Sequence, residues 1–331
     1  MRSPTASDNL EAALERAVAR FDDGSATCAQ IRYHLGFEDE ARRGKRLRSR
    51  LVLAVAEEEG GDPAAALDPA CAVEIIHEFS LVHDDIEDGD RLRRGRETVW
   101  SRFGVAHGIN AGDALCAVAY LALLDGTVTR PADRTVAMTR ALHEAHLAMC
   151  GGQARDIAFE TQTRVSIDDY RAMAGGKTAA LFGAACELGA LCAGASDERA
   201  RAYRHLGRAY GLAFQIEDDV LGTWGDPGTT GKPSGSDLAR RKWTFPVVWA
   251  VAGPPSAARE TIAAAYARGA ALDPPAVAAA IASLDALGAR EAALEAARAE
   301  LDDADAVAAT FGIDRSGAVR AFFQRALRRI A

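Results

Sequence analysis

Two short acidic runs carry the strongest chemical signal in the chain. The first is His83-Asp84-Asp85-Ile86-Glu87-Asp88-Gly89-Asp90. Asp84 and Asp88 are four residues apart, so a helix would put both carboxylates on one face. Like charges at that spacing repel in an isolated helix. An apolar helix that ends this way is suited to a cation. An all-oxygen ligand set suits Mg²⁺, which keeps waters and bridges substrate phosphates. The second run, Gln215-Ile216-Glu217-Asp218-Asp219, again closes an apolar helical pattern. One acidic helix end is most often a solvated surface. Two such ends in a helical bundle could clamp one metal cluster.

Cations surround these acids. Lys45, Arg46 and Arg48 precede the first run, and Arg91, Arg93, Arg94 and Arg96 follow it. Gly176-Lys177-Thr178, Gly231-Lys232 and Arg240-Arg241-Lys242 come later. Any one cluster alone reads as surface salt bridging. Together with the carboxylates they suit a diphosphate held by metal on one side and by Arg and Lys on the other. Competing chemistries lack their residues. A phosphate-binding Gly-rich loop would need a glycine five positions before Gly176, where Arg171 stands. No G-x-S-x-G elbow is present, and His143 and His146 lack the H-E-x-x-H pattern.

The elements that must position these groups read as helices. The chain has 331 residues, 49% of them hydrophobic and 6% aromatic. Alanine, the best helix former, fills many stretches. Helical patterns are expected at 10–21, 47–59, 70–88, 110–124, 134–159, 167–192 with an interruption at Gly175-Gly176, 198–220 and 243–251, with a loop over 222–237. A disordered terminus is expected over 1–9 and peripheral C-terminal helices over 252–331. One large helical bundle, a single domain over 1–331, is the simplest organisation. A net charge of −8 argues against a nucleic-acid partner. The six cysteines form no CxxC pair and read as reduced thiols. No secretory leader and no membrane span are expected, which points to the cytoplasm.

In their order these stretches resemble the trans-isoprenyl diphosphate synthases, or polyprenyl synthetases. The matching residues are Gly44-Lys45-Arg46-Leu47-Arg48, His77 through Asp85, Arg93-Arg94-Gly95, Gly112-Asp113-Ala114-Leu115 and Gly152-Gln153. Gly176-Lys177-Thr178, Phe214-Gln215 with Asp218-Asp219, and Thr230-Gly231-Lys232 complete the set. The resemblance covers roughly residues 44–248. It implies an all-α bundle around a central cavity and a homodimer. It also implies a Mg²⁺-dependent head-to-tail condensation of isopentenyl diphosphate with an allylic diphosphate. By that resemblance Asp84, Asp88 and Asp218 are the direct Mg²⁺ ligands, with Asp85 and Asp219 in support. Arg93, Lys177, Lys232 and Lys242 contact the allylic diphosphate. Lys45, Arg48, His77 and Arg94 form the isopentenyl diphosphate pocket. Thr178 and Gln215 stabilise the developing carbocation.

The second acidic motif of that family usually carries a third Asp four residues after the first, and here Gly222 stands there. Asp218 is expected to suffice, with Asp226 a candidate to compensate. Phe79 and Ser80, five and four residues before Asp84, are the expected chain-length residues. A bulky Phe79, about 7.5 Å back along the helix, points to a short product, with geranylgeranyl diphosphate ahead of farnesyl diphosphate. One alternative is a terpene synthase-like relative that ionises a prenyl diphosphate without isopentenyl addition. Another is a non-catalytic regulatory subunit. The retained isopentenyl set speaks against the first and the retained acidic ligands against the second.

Overall fold

The first acidic run ends a helix whose buried face is mostly apolar. Leu67–Glu87 is helical and buries Ala70, Cys71, Ala72, Val73, Ile75, Ile76 and Val82. This computed structural model describes residues 6–39, 43–125, 130–226, 233–267, 271–313 and 317–327. Its helices divide between two compact units, Met1–Glu144 with Ala184–Arg201, and Ala145–Gly183 with Ala202–Ala331.

The first unit begins with α1 (Ala6–Ala19), α2 (Ala26–Leu35), α3 (Leu47–Glu58) and the acidic helix α4 (Leu67–Glu87). Ser25 caps α2 through its side chain, and Gly36, at φ 74°, ends it in the left-handed conformation that glycine adopts freely. Helix α1 starts at Ala6, so residues 6–9 are helical where a disordered terminus was expected. Leu10, Leu14 and Val18 bury one face of α1, and the turn ahead of them continues the same helix.

After α4 comes a two-stranded antiparallel hairpin, β1 (Leu92–Arg93) and β2 (Arg96–Glu97). Its two-residue loop, Arg94-Gly95, has φ of 52° and 75°. Both positive angles are those of a type I′ turn, which matches the twist of paired strands. Helices α5 (Val99–Phe103) and α6 (Val105–Asp125) follow. Helix α6 lies hard against α4. A Cβ added to Gly112 would stand 2.2 Å from His83 Nε2, and one on Gly108 2.8 Å from Ile86 Cδ1. These glycines let the α4 backbone end close to its neighbour. By length and composition alone α6 is long and apolar enough to cross a membrane, a test that core helices also pass. In the fold 44% of that apolar window is buried. Ala111, Leu115, Val118, Ala119, Ala122 and Leu123 are buried.

The boundary between the units falls inside α7 (Ala132–Phe159), α9 (Ala180–Cys192) and α10 (Asp197–Trp224). The second unit also holds α8 (Ile167–Ala174) and a π-helical turn, Gly175–Ala179, which replaces the expected simple break at the glycines. Beyond α10 lie α11 (Ser236–Ala239), α12 (Phe245–Ala252), α13 (Ala257–Tyr266), α14 (Pro274–Ala286), α15 (Ala289–Thr310) and α16 (Ala318–Leu327). Tyr170, Ile216, Val220, Leu238, Trp243, Phe245 and Val248 share one apolar core with Ile262, Tyr266, Ala280, Leu284 and Ala293. Helix α10 runs through Gly222 to Trp224, three residues into the expected loop. All six cysteines are free thiols.

Candidate active site

The end of α4 is arranged around the hairpin. Arg93 Nε donates to Asp85 Oδ1 at 2.7 Å, and Arg93 Nη2 lies 3.8 Å from Asp84 Oδ2. Asp85 is buried, which pushes its carboxyl up to about 6 against the pull of Arg93. Its second oxygen is buried without a hydrogen-bond partner. An orphaned carboxylate oxygen inside a helix end costs free energy unless something binds it. Half-buried Asp84 and Asp88 lie one turn apart beside it, with the Asp88 N–H donating to the Asp84 carbonyl. This donor set is all oxygen and fits a hard divalent cation such as Mg²⁺. Arg93, expected to contact a diphosphate, here pairs with Asp85 and lies beside Asp84.

The neighbouring cations form a second group in the same unit. Arg48 Nη1 lies 3.1 Å from His77 Nε2. Burial first, and then the charge of Arg48, holds His77 well below the ordinary imidazole range. His77 is therefore neutral and accepts from the guanidinium through Nε2. Arg94 donates from both terminal nitrogens to Glu78, at 2.9 and 3.4 Å. Lys45 is exposed one residue before Arg46. Phe79 is half-buried with its ring edge on His83 at 4.9 Å, and Ser80 donates back to the His77 carbonyl at 2.7 Å.

In the second unit the site is built where two backbones touch. A Cβ on Gly152 of α7 would stand 2.1 Å from the Lys177 amide nitrogen, and one on Gly176 2.6 Å from the Ala148 carbonyl oxygen. This close approach sets the π-turn against α7. Lys177 Nζ then reaches Asp156 Oδ2, one turn after Gly152, at 2.5 Å. Thr178 donates to Gln215 Oε1 at 2.5 Å, and Gln215 Nε2 donates to Asp219 Oδ1 at 2.9 Å. Asp219 Oδ2 accepts from the Tyr170 hydroxyl at 2.6 Å and the Phe245 N–H at 2.8 Å. Burial pushes Asp219 up to about 7, against those three donors. Asp219 is thus a buried anchor, whereas Asp218 beside it is exposed.

Gly222 has a physical explanation on the same helix. A Cβ there would stand 1.9 Å from Asp237 Oδ2. The carboxylate of Asp237, from α11, fills the space that a side chain at 222 would take. Asp226 is exposed beyond the end of α10. Lys242 is half-buried. Its N–H donates to the Asp237 carbonyl at 2.9 Å, and its own carbonyl accepts from Tyr266. Lys232 and the rest of Thr230-Gly231-Lys232 lie outside the described residues.

Arg46, grouped by sequence with the phosphate-binding cations, is instead buried and paired with Glu74 and Glu78. Sequence reasoning missed Glu74, Glu78 and His34 in the first unit, and Asp156, Tyr170 and Asp237 in the second. Only Asp156 left a signal, standing four residues after Gly152 on a helix.

Comparison with known proteins adds four findings. A family model described as polyprenyl synthetase matches residues 37–283. A protein named geranylgeranyl diphosphate synthase from Mycobacterium tuberculosis is 47% identical over 259 residues, 76% of this chain and 72% of that one. A (2E,6E)-farnesyl diphosphate synthase from Mycobacterium bovis is 47% identical over 239 residues, 70% of this chain and 66% of that one. Among solved structures, a polyprenyl synthetase from Streptomyces coelicolor A3(2) superposes with a TM-score of 0.87 at 34% identity, over 98% of this chain and 97% of that one.

Proposed function

This chain belongs to the polyprenyl synthetase family, and we propose that it is a Mg²⁺-dependent trans-prenyltransferase condensing isopentenyl diphosphate with an allylic diphosphate. Its product in this reading is a short-chain prenyl diphosphate, geranylgeranyl diphosphate first. The observation that carries the reading lies in the first unit. The α4 carboxylates, with a buried unsatisfied oxygen at Asp85, stand on the same helix as His77, which Arg48 holds. A protein that only ionises an allylic diphosphate needs the carboxylates but not the second cation group. The mycobacterial relatives, named for geranylgeranyl and farnesyl diphosphate synthesis, support the product class. The solved relative that spans nearly the whole chain supports reading residues 1–331 as one isoprenoid synthase-like domain.

In this mechanism Asp84, Asp88 and Asp218 would be the residues that hold Mg²⁺, and the ion would supply Lewis-acid stabilisation of the leaving diphosphate. Lys177 and Lys242 bind its oxygens, with Lys232 a further contact, and Arg93 turns from Asp85 toward it. The allylic C–O bond breaks, and diphosphate leaves with the electron pair. Thr178 Oγ1 and Gln215 Oε1 turn their lone pairs toward the allylic cation. Lys45, Arg48, His77 and Arg94 orient isopentenyl diphosphate so that its double bond forms the new C–C bond. The resulting tertiary cation loses a proton to the departed diphosphate, which restores a double bond.

We take the active form to be a homodimer formed through α6. Val105, Ile109, Leu121 and Leu124 are exposed on it at near-helical spacing, with Val136 exposed on α7. The decisive experiment incubates the purified chain and Mg²⁺ with isopentenyl diphosphate and each allylic primer, and identifies products by mass spectrometry. Condensation to a twenty-carbon diphosphate is expected. A cyclic hydrocarbon without added isopentenyl units would replace this reading with a cyclase, and no turnover at all with a silent subunit.

A further inference from the structure

The most deeply buried charges in the first unit lie behind the isopentenyl group and outside the mechanism above. Glu78, on α4 next to His77, is wholly buried. Its Oε1 accepts from Arg46 Nη1 at 2.7 Å and from Arg94 Nη2 at 2.9 Å. Its Oε2 lies 2.9 Å from His34 Nε2. Arg46 is also buried, and its other donors go to Glu11 at 2.9 Å, Glu74 at 3.4 Å and the Leu35 carbonyl at 3.0 Å. A buried charge persists only when it is paired and hydrogen-bonded, and here every ion has its counter-ion.

The geometry of this knot bears on function. Arg46 takes φ 52° at the N-cap of α3. Its inward guanidinium fixes the backbone from which Lys45 and Arg48 leave on either side. Arg94 takes φ 52° in the hairpin turn. Its backbone is set by β-pairing and its guanidinium by Glu78. Gly44 closes the arrangement, since a Cβ there would lie 2.7 Å from Arg94 Nη2 and 3.1 Å from Glu78 Oε1. One carboxylate therefore ties together the 44–48 segment, α4 and the hairpin, the three pieces that carry the isopentenyl set.

We infer that Glu78 is a positioning residue for isopentenyl diphosphate: it orients Arg94 directly, and Lys45 and Arg48 through Arg46. This rests on the function proposed above. Two of the five guanidinium donors of Arg94 are committed to Glu78, which leaves the others for a diphosphate in a fixed direction. Preorganising the fork lowers the ordering cost of binding that substrate, and the allylic substrate gains nothing from it.

The test uses Glu78→Gln, which keeps the shape and removes the charge, and Gly44→Ala, which presses on Arg94 and leaves every charge in place. Steady-state kinetics varies each substrate separately, and calorimetry measures isopentenyl diphosphate binding to the enzyme alone. Both variants are expected to raise the isopentenyl KM and Kd about tenfold, a loss near 1.4 kcal/mol, with the allylic KM within about twofold. A folded Glu78→Gln enzyme that binds isopentenyl diphosphate like wild type overturns the inference, as does an equal rise in both KM values. Should Glu78→Gln fail to fold by circular dichroism, Gly44→Ala decides alone by the same criteria. Absence of condensation by the wild-type enzyme is read first, and it removes the proposed function together with this inference.

Discussion

Replacing Gly152 by alanine tests how the second unit positions its chemistry. An alanine Cβ would stand 2.1 Å from the Lys177 amide nitrogen, 2.7 Å from the Gly176 carbonyl carbon and 2.8 Å from Lys177 Cα. Ordinary contact begins near 3.4 Å, so α7 and the π-turn must part by 3.4 − 2.1, about 1.3 Å. All three atoms belong to backbone, and no flexible side-chain tip can swing away. Overpacking of this kind costs roughly 1–3 kcal/mol of stability. The displaced residues are Lys177 and Thr178 themselves. A shift of about 1 Å at reacting groups can cost about 10²-fold in rate, so kcat should fall by about that factor. Gly151, its neighbour, is the internal control. A Cβ there meets only Arg155 Nη1, at 3.6 Å. Gly151→Ala should keep kcat and gain roughly 0.5–1 kcal/mol from helix propensity. Thermal denaturation and steady-state turnover of both variants make the comparison. Equal stability and turnover in the two would refute the claim that this backbone contact aims the lysine.

Asp84→Asn and Asp218→Asn should each lower turnover by at least about 10²-fold while circular dichroism stays native, and near-normal rates would count against the metal assignment. Phe79→Ala should lengthen the product, read by mass spectrometry of the reaction mixture; an unchanged length would assign Phe79 to packing alone. Gly222→Asp, which brings in the carboxylate the family usually carries, should reduce turnover, because its Cβ would stand 1.9 Å from Asp237 Oδ2. A rise in turnover would show that the space is not filled. The contribution of His34 to stability should fall as pH drops from about 7 toward 5, opposite in sign to that of Asp85 and Asp219, whose carboxyls are raised in the fold. Burial holds that imidazole below its usual 6.5 against the pull of Glu78, so below that pH the unfolded chain binds the extra proton and the folded chain does not. Chemical denaturation across that range should show His34→Gln gaining stability relative to wild type as pH falls.

Much of the site was legible because its chemistry is local in sequence. Asp84 and Asp88 read as one helix face without any structure, and the apolar run ahead of them read as burial. Gly176-Lys177-Thr178 and Gln215 were legible as residues, but their mutual hydrogen bond was not, because it joins positions 37 apart. The hairpin was invisible since two-residue strands show no alternation, and Arg94-Gly95 lacks the Asn or Asp that usually announces a type I′ turn. Glu74 and Glu78, and the burial of Arg46, were hidden for a different reason. A charged residue in sequence points to the surface, and only the fold shows that Arg46 pairs with both acids inside, with Arg94 as the second cation on Glu78. Asp237 escaped because the space it fills is defined by the missing side chain of Gly222, fifteen residues earlier.

The π-helical turn at Gly175–Ala179 makes chain length itself a constraint. Such a turn amounts to one extra residue inserted into an α-helix. Deleting any residue of the five would let a regular helix rewind without a break. Each residue advances an α-helix by about 100°, so the rewound helix would fall out of phase on one side of the deletion. Either Tyr170 would swing off Asp219, or Phe182 would leave Phe214, which it meets at 5.4 Å. Substitutions in this stretch can be absorbed one at a time, whereas a change in its count cannot.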